Sequence, residues 1–284
     1  MNLLSPTDIK ILLAKYNTRP SKGLGQNFLI DKNVLQKIIS AADLSKNDIV
    51  LEIGPGIGTL TQELAQKAKK VIAIEKDKKM CKILKETLKD FDNIEIINAD
   101  ILKIKELENY LKIKNYKIVA NIPYYITSPL IRKFLESPKP PRDFVLMVQK
   151  EVAQRICTKP PDMSLLAVSV QFYAEPKIIS YVSKNCFWPS PKVDSAIIKI
   201  KPQINADKKQ INADLFFKIV KAGFSQPRKQ LGNNLLALSH SEGSKTLKLT
   251  KEQTAMWLVK NGIKPSQRAE TLSIYDWKNL ANSL

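Results

Sequence analysis

Ile49-Val50-Leu51-Glu52-Ile53-Gly54-Pro55-Gly56-Ile57-Gly58 is the stretch on which the fold turns. Its first five residues form a short, β-rich apolar run, and the glycines end that run abruptly. A helical pattern then covers Thr59 to Ala68. A glycine-rich turn between strand and helix lets a ligand approach the backbone, and an acidic residue about 20 positions on can bind ribose hydroxyls. Glu75 lies 21 positions after Gly54 and closes the next apolar run. A dinucleotide fingerprint would place a glycine at position 59, where the chain has Thr59, and its third glycine is Gly58. A nicotinamide oxidoreductase stays open as one reading of this spacing.

Working outward, short apolar runs alternate with helical patterns for about two hundred residues. Val71-Ile72-Ala73-Ile74 ends at Glu75, and Ile94-Glu95-Ile96-Ile97 ends at Asn98-Ala99-Asp100. Lys117-Ile118-Val119-Ala120 and Phe144-Val145-Leu146-Met147-Val148 give a fourth and a fifth strand, with further strands near Ile178 to Val182 and Ser195 to Ile200. Between them, Asp31 caps a helix bearing Val34, Leu35, Ile38 and Ile39, and Met80, Ile83, Leu84 and Leu88 mark another. Leu166 to Tyr173 reads as a helix or a long apolar segment. The alternation predicts an α/β fold built on a doubly wound parallel sheet. After Lys201-Pro202 a polar stretch runs to Asp214, followed by helical patterns over 215–220, 231–238, 251–259 and 274–280. This predicts a catalytic domain over residues 1–205 and a small helical C-terminal domain over residues 206–284.

Composition narrows the partners. Forty-six Lys and Arg stand against 27 Asp and Glu, a formal net charge of +19. Such a surplus points to a polyanion, nucleic acid or an anionic membrane face. Only six of the basic residues are Arg, and lysine suits backbone neutralisation better than bidentate reading of base edges. The C-terminal domain carries 13 basic and 6 acidic residues, which makes it the candidate for nucleic-acid docking. No apolar stretch approaches the ~18 residues of a membrane span, and Asp8 and Lys10 interrupt the first apolar segment, so Met1 to Tyr16 does not read as a secretory signal. Cys81, Cys157 and Cys186 are isolated and read as free thiols of a reducing compartment. His240 is the only histidine, in the loop-like Ser239-His240-Ser241-Glu242-Gly243. Histidine-rich metal sites are thereby excluded, no metal is expected, and a reaction needing no strong general base is favoured.

Asn121-Ile122-Pro123-Tyr124 follows the fourth strand directly. Ligand crevices of open α/β sheets lie at the carboxyl ends of strands. An amide can accept from an amino group, an aromatic face can stack on a base, and a proline fixes the turn between them. These residues suggest chemistry on the exocyclic amine of a nucleobase. Asp100, ending the third strand, can accept from an adenine amine. Its tetrapeptide Ile-Asn-Ala-Asp recurs at 204–207 and 211–214, where the copies lie in the polar linker and read as helix or turn starters.

The Gly-x-Gly-x-Gly loop with Glu52 before it resembles the S-adenosylmethionine loop of class I methyltransferases. Taken together, Gly25-Gln26-Asn27-Phe28-Leu29, the glycine loop, Asn121-Ile122-Pro123-Tyr124 and Phe187-Trp188-Pro189-Ser190-Pro191-Lys192-Val193-Asp194-Ser195 resemble the small-subunit ribosomal RNA adenine N6,N6-dimethyltransferases. Phe224-Ser225-Gln226-Pro227-Arg228-Lys229-Gln230-Leu231 and Arg268-Ala269-Glu270-Thr271-Leu272-Ser273 extend the likeness to about residues 20 to 275. The related erythromycin-resistance methyltransferases of large-subunit rRNA share the first three motifs. Pro227 and Gly232 stand where the family commonly has basic residues, and Ala269 where a proline is usual.

The resemblance implies a Rossmann-like class I methyltransferase sheet and an S-adenosylmethionine site made by Asn27, Leu29, Gly54, Gly56, Glu75, Asp100 and Asn121. It implies that Asn121, Pro123, Tyr124 and Phe187 carry the acceptor chemistry. The Asn121 side-chain oxygen and the Ile122 carbonyl accept the amine hydrogens, Tyr124 stacks on the adenine, and Phe187 closes its other face. For Leu29 simple packing, and for Phe187 a hydrophobic plug ahead of the next strand, remain the plain alternatives. The implied reaction is dimethylation of two adjacent adenosines in a loop near the 3′ end of small-subunit (16S) rRNA. Its implied partner is a pre-30S ribosomal particle, met by a cytoplasmic monomer that also serves small-subunit biogenesis. Large-subunit rRNA as substrate, and an assembly factor whose binding role dominates, stay as alternatives.

Overall fold

The computed structural model describes residues 1–104, 113, 115–203, 211–239 and 249–284. His240, the Ile-Asn-Ala-Asp copy at 204–207 and the boundary expected at 205/206 lie outside these residues.

Contacts divide the chain into two compact units. The first comprises Met1–Gln154 and Glu175–Pro202, the second Arg155–Ala174 and Gln203–Leu284. The sequence places 155–174 in the first domain. In the structure Phe172 packs its ring 4.2 Å from that of Phe216, Met163 donates to the Glu270 carbonyl at 2.9 Å, and Ala167 and Val168 join the core of the second unit.

In the first unit, α1 (Pro6–Lys15) precedes β1 (Phe28–Leu29), and α2 (Lys32–Ala42) leads into β2 (Ile49–Ile53), α3 (Thr59–Lys67) and β3 (Lys70–Glu75). Asp31 caps α2 by accepting from the Val34 N–H at 3.0 Å. The chain continues through α4 (Lys78–Thr87), β4 (Ile94–Asn98), β5 (Lys117–Asn121), α5 (Thr127–Leu135), β6 (Phe144–Gln149) and α6 (Lys150–Cys157). After α7 (Leu165–Gln171) come β7 (Ala174–Val182), β8 (Phe187–Trp188) and β9 (Ser195–Pro202).

Seven strands form one sheet in the order β4-β3-β2-β5-β6-β9-β7. β2 sits between β3 and β5, parallel to both. It is covered on both faces, which is why its sequence reads as an apolar run without alternation. The chain moves one way through β3 and β4, then returns to the far side of β2 with β5 and β6. The order therefore reverses between β2 and β5, the position where doubly wound sheets bind ligands.

The sheet is mixed rather than wholly parallel, because β9 runs antiparallel to β6. Between β7 and β9 the chain has only a 3-10 turn, Lys184–Cys186, and the two-residue β8. β8 instead pairs antiparallel with β1, matching Phe28 with Trp188 and Leu29 with Phe187.

The second unit contains α7 and, among the described residues, α8 (Ala213–Gly223), α9 (Leu231–Ser239), α10 (Lys251–Lys260) and α11 (Ile274–Asn282). Asn212, from the third Ile-Asn-Ala-Asp copy, caps α8 through the Leu215 N–H, the helix-starting role its context suggests. Gly223 lets α8 and α11 approach closely, since a Cβ there would lie 2.4 Å from the Trp277 ring. Two of the departures from the family pattern have packing roles: a Cβ at Gly232 would lie 3.3 Å from the Pro265 carbonyl oxygen, and Ala269 is buried. Pro227 is exposed, beside the equally exposed Arg228 and Lys229.

Candidate functional site

The carboxyl ends of β2, β3 and β5, together with the turn after β4, open onto one pocket. Every residue that lines it belongs to the first unit. It receives Asn27, Leu29, Gly54, Gly56, Glu75, Asp100, Asn121, Pro123 and Tyr124, so all the expected site residues except Phe187 meet there.

Gly54 makes the turn out of β2 with φ +70°, a left-handed backbone that favours glycine. A Cβ there would also lie 3.2 Å from Pro123 Cδ. The glycine loop and the Asn121–Tyr124 turn are thus in direct contact, and Pro123 forms their seam.

Glu75 is buried at the end of β3, its two carboxylate oxygens held separately. Oε1 accepts from the Asp77 N–H at 2.8 Å and Oε2 from the Gly56 N–H at 3.2 Å. Burial outweighs these donors and raises its pKa above the ordinary carboxylate value. Asp100 is more open. Burial alone would raise its pKa, but the Lys76 ammonium at 3.0 Å and the Leu102 N–H at 3.1 Å hold it below the usual range. One carboxylate is therefore set by backbone donors and the other by a lysine.

Glu52, one residue before the end of β2, is only 1% exposed. Burial pushes its carboxyl up to about 8, with the nearby Glu75 charge adding to the shift and the Thr61 hydroxyl opposing it. Its Oε2 has no hydrogen-bond partner. The Thr59 hydroxyl, buried at the start of α3 and lining the same pocket, has none either.

On the other side, the Asn121 Nδ2 donates to the Asn27 carbonyl at 3.3 Å. A carbonyl only accepts, so this contact assigns the amide's orientation. The Asn121 Oδ1 is left as the acceptor. The Asn27 side chain turns back on its own loop, donating to the Gly25 carbonyl at 3.2 Å. The Tyr124 hydroxyl lies 2.6 Å from Ser195 Oγ, at the start of β9. Ser195 is fully buried, so it anchors the far end of the tyrosine. Nothing in the sequence marks Ser195 as the partner of Tyr124, which stands 71 residues away in the chain.

Phe187 is placed differently from the expectation. It is 3% exposed and packs among Leu29, Val34, Leu35 and Ile38. β8 pairs it with Leu29, which lines the pocket yet is itself only 3% exposed. In this arrangement the ring fills the hydrophobic layer ahead of β9 and presents no open stacking face. The remaining chemistry is sparse: burial raises the Cys81 and Cys157 thiols to about 11. Among the described residues, no cluster of three or more His, Cys, Asp or Glu could hold a metal ion.

Residues 17–284 match the family described as ribosomal RNA adenine dimethylase. The chain belongs to that family. The ribosomal RNA small subunit methyltransferase A of Alkaliphilus oremlandii is 42% identical to it, covering 99% of this chain and 97% of that protein. The protein of the same name from Clostridioides difficile is 43% identical over 99% of this chain and 96% of its own length. Among solved structures, a dimethyladenosine transferase from Plasmodium falciparum superposes with a TM-score of 0.75 at 29% identity, covering 89% of this chain and 95% of that one. The 23S rRNA methyltransferase ErmE superposes with 0.72 at 27% identity, covering 91% and 99%. The two scores lie close together, so the shared fold does not by itself choose between ribosomal subunits.

Proposed function

We propose that this dimethylase transfers methyl groups from S-adenosylmethionine to N6 of two adjacent adenosines near the 3′ end of small-subunit rRNA. The observation that carries the reading is the Asn121 amide: with Nδ2 committed to the Asn27 carbonyl, its Oδ1 is the acceptor at the mouth of the sheet. The choice of the small subunit is supported by the names of relatives that are 41–45% identical over nearly the whole chain.

The pocket suits the methyl donor. Glu75 offers carboxylate oxygens to ribose hydroxyls and Asp100 accepts from the adenine amine. Gly54 exposes backbone, while Asn27 and Leu29 line the side nearer Asn121. When bound, S-adenosylmethionine supplies an electrophilic methyl group on a good leaving group.

The protein's part is positional. The N6 lone pair of adenine is delocalised into its ring and is a poor nucleophile. Asn121 Oδ1 and the Ile122 carbonyl accept the two amine hydrogens, biasing the nitrogen toward a pyramidal form. Tyr124, anchored by Ser195, stacks on the base; such stacking is worth roughly 1–3 kcal/mol. Orientation of this kind supplies much of a barrier reduction without a general base, and the proton leaves to solvent after transfer. The target base is presented unstacked, from a loop or flipped out. The basic second unit docks the RNA, and the enzyme acts as a cytoplasmic monomer on a pre-30S particle.

The test offers radiolabelled S-adenosylmethionine with unmethylated small and large subunits in one mixture and maps the modified base. Label at two neighbouring small-subunit adenosines as N6,N6-dimethyladenosine is the expected result. Label confined to large-subunit rRNA would replace this reading with the erythromycin-resistance type.

A further inference from the structure

We propose that Tyr181, backed by Lys150, is a stacking platform for the nucleotide that flanks the target adenosine in the same RNA strand. The inference rests on the acceptor reading given above.

β7 presents Tyr181 and Ile179 to solvent, with Tyr181 52% exposed. On a nucleic-acid-binding face an exposed aromatic ring supplies a surface on which a base can stack. The Lys150 ammonium sits 5.3 Å from the centre of the Tyr181 ring. A cation over one face of the ring leaves the other face open to a base. The same ammonium is suited to the phosphate beside that base.

Position ties the platform to the acceptor site. The Lys150 N–H donates to the Asp194 carbonyl at 3.0 Å. Asp194 is followed by Ser195, whose hydroxyl lies 2.6 Å from that of Tyr124. Asp194 also accepts from the Lys184 N–H through Oδ1 at 3.0 Å. The loop between β7 and β9 thus joins the acceptor tyrosine to the exposed one through a few residues. Lys184 and Lys192 on that loop are exposed. They outnumber the Asp194 carboxylate, and a single-stranded RNA backbone complements that balance. A partner read by two tyrosines and several lysines along a short path is a strand of successive nucleotides.

Steady-state transfer to unmethylated small subunits tests the platform with Tyr181→Ala, Tyr181→Phe and Lys150→Met. Tyr181→Ala should raise the KM for the subunit about five- to tenfold, in line with the loss of one stacked base. The kcat and the KM for S-adenosylmethionine should hold. Tyr181→Phe, which keeps the ring, should behave as the parent enzyme, and Lys150→Met should fall between. An unchanged subunit KM in Tyr181→Ala, a loss equally large in Tyr181→Phe, or a loss in kcat alone would each overturn the platform. If the parent enzyme fails to methylate small subunits, the acceptor reading itself falls, an outcome distinct from an active parent with an indifferent Tyr181→Ala.

Discussion

On one side of the pocket, Glu75 is fixed by the N–H groups of Gly56 and Asp77, all within one stretch of chain between β2 and α4. On the other, Asn121 and Tyr124 are fixed by Asn27 and Ser195, which stand 94 and 71 residues away in sequence. The donor side is therefore a local construction, a strand end and the turn that follows it. The acceptor side is assembled from remote segments and depends on the whole sheet closing correctly. Donor binding and acceptor positioning should accordingly be separable by mutation, with Gly54 and Pro123 as the place where they meet.

On the donor side a large, separable effect is expected at Glu75. Glu75→Gln keeps the shape and removes the charge, and hydrogen bonds to charged groups are worth about 1.5–3 kcal/mol. The KM for S-adenosylmethionine should rise at least tenfold, while turnover at saturating donor stays within a few-fold. A comparable loss of turnover at saturation would erase the distinction between the two sides. Gly54→Ala should damage both at once. The left-handed backbone penalises a Cβ by roughly 1–2 kcal/mol, and the Cβ also presses on Pro123 Cδ. Donor affinity and turnover should fall together, with a lower melting temperature. A variant that lost donor affinity alone would show that Pro123 is not the seam.

A smaller effect is expected at Ser195. Ser195→Ala removes one hydrogen bond to Tyr124, about 1 kcal/mol, and should lower kcat/KM for RNA roughly fivefold with donor KM unchanged. The smallest concerns pH. Glu52 is raised from 4.5 to about 8 by burial, with Glu75 adding to the shift and Thr61 opposing it. The native state then holds a proton that the unfolded chain releases, so stability falls as pH climbs through this window and levels off above it. Glu75, also raised, contributes in the same direction. Thermal melts of Glu52→Gln should show a shallower decline in Tm between about pH 5 and 8. An unaltered slope would mean that Glu52 is ionised in the native protein.

The same contrast explains what the sequence discloses. Gly54, Glu75 and Asp100 are readable because each closes an apolar run at the same edge of the sheet, and the strand order then brings those edges together. The partners of Asn121 and Tyr124 are not readable, because no periodicity links residue 27 to 121 or 124 to 195. β9 reads like any buried strand, and its sequence does not disclose that it pairs antiparallel with β6. The resemblance implies a stacking role for Phe187 with a hydrophobic plug as the alternative, and its pairing with Leu29 buries it as the plug. Leu166 to Tyr173 carries an apolar pattern compatible with either core; the Phe172–Phe216 contact assigns it to the second.

The central claim is that Asn121 orients the acceptor amine rather than holding the donor. It is tested most directly by measuring, on Asn121→Ala, both the S-adenosylmethionine dissociation constant and the single-turnover rate of transfer to unmethylated small subunits. Loss of this orientation should slow transfer by about a hundredfold or more, with donor affinity changed only a few-fold. Transfer at the parent rate, or a loss of donor affinity as large as the loss of rate, would contradict it.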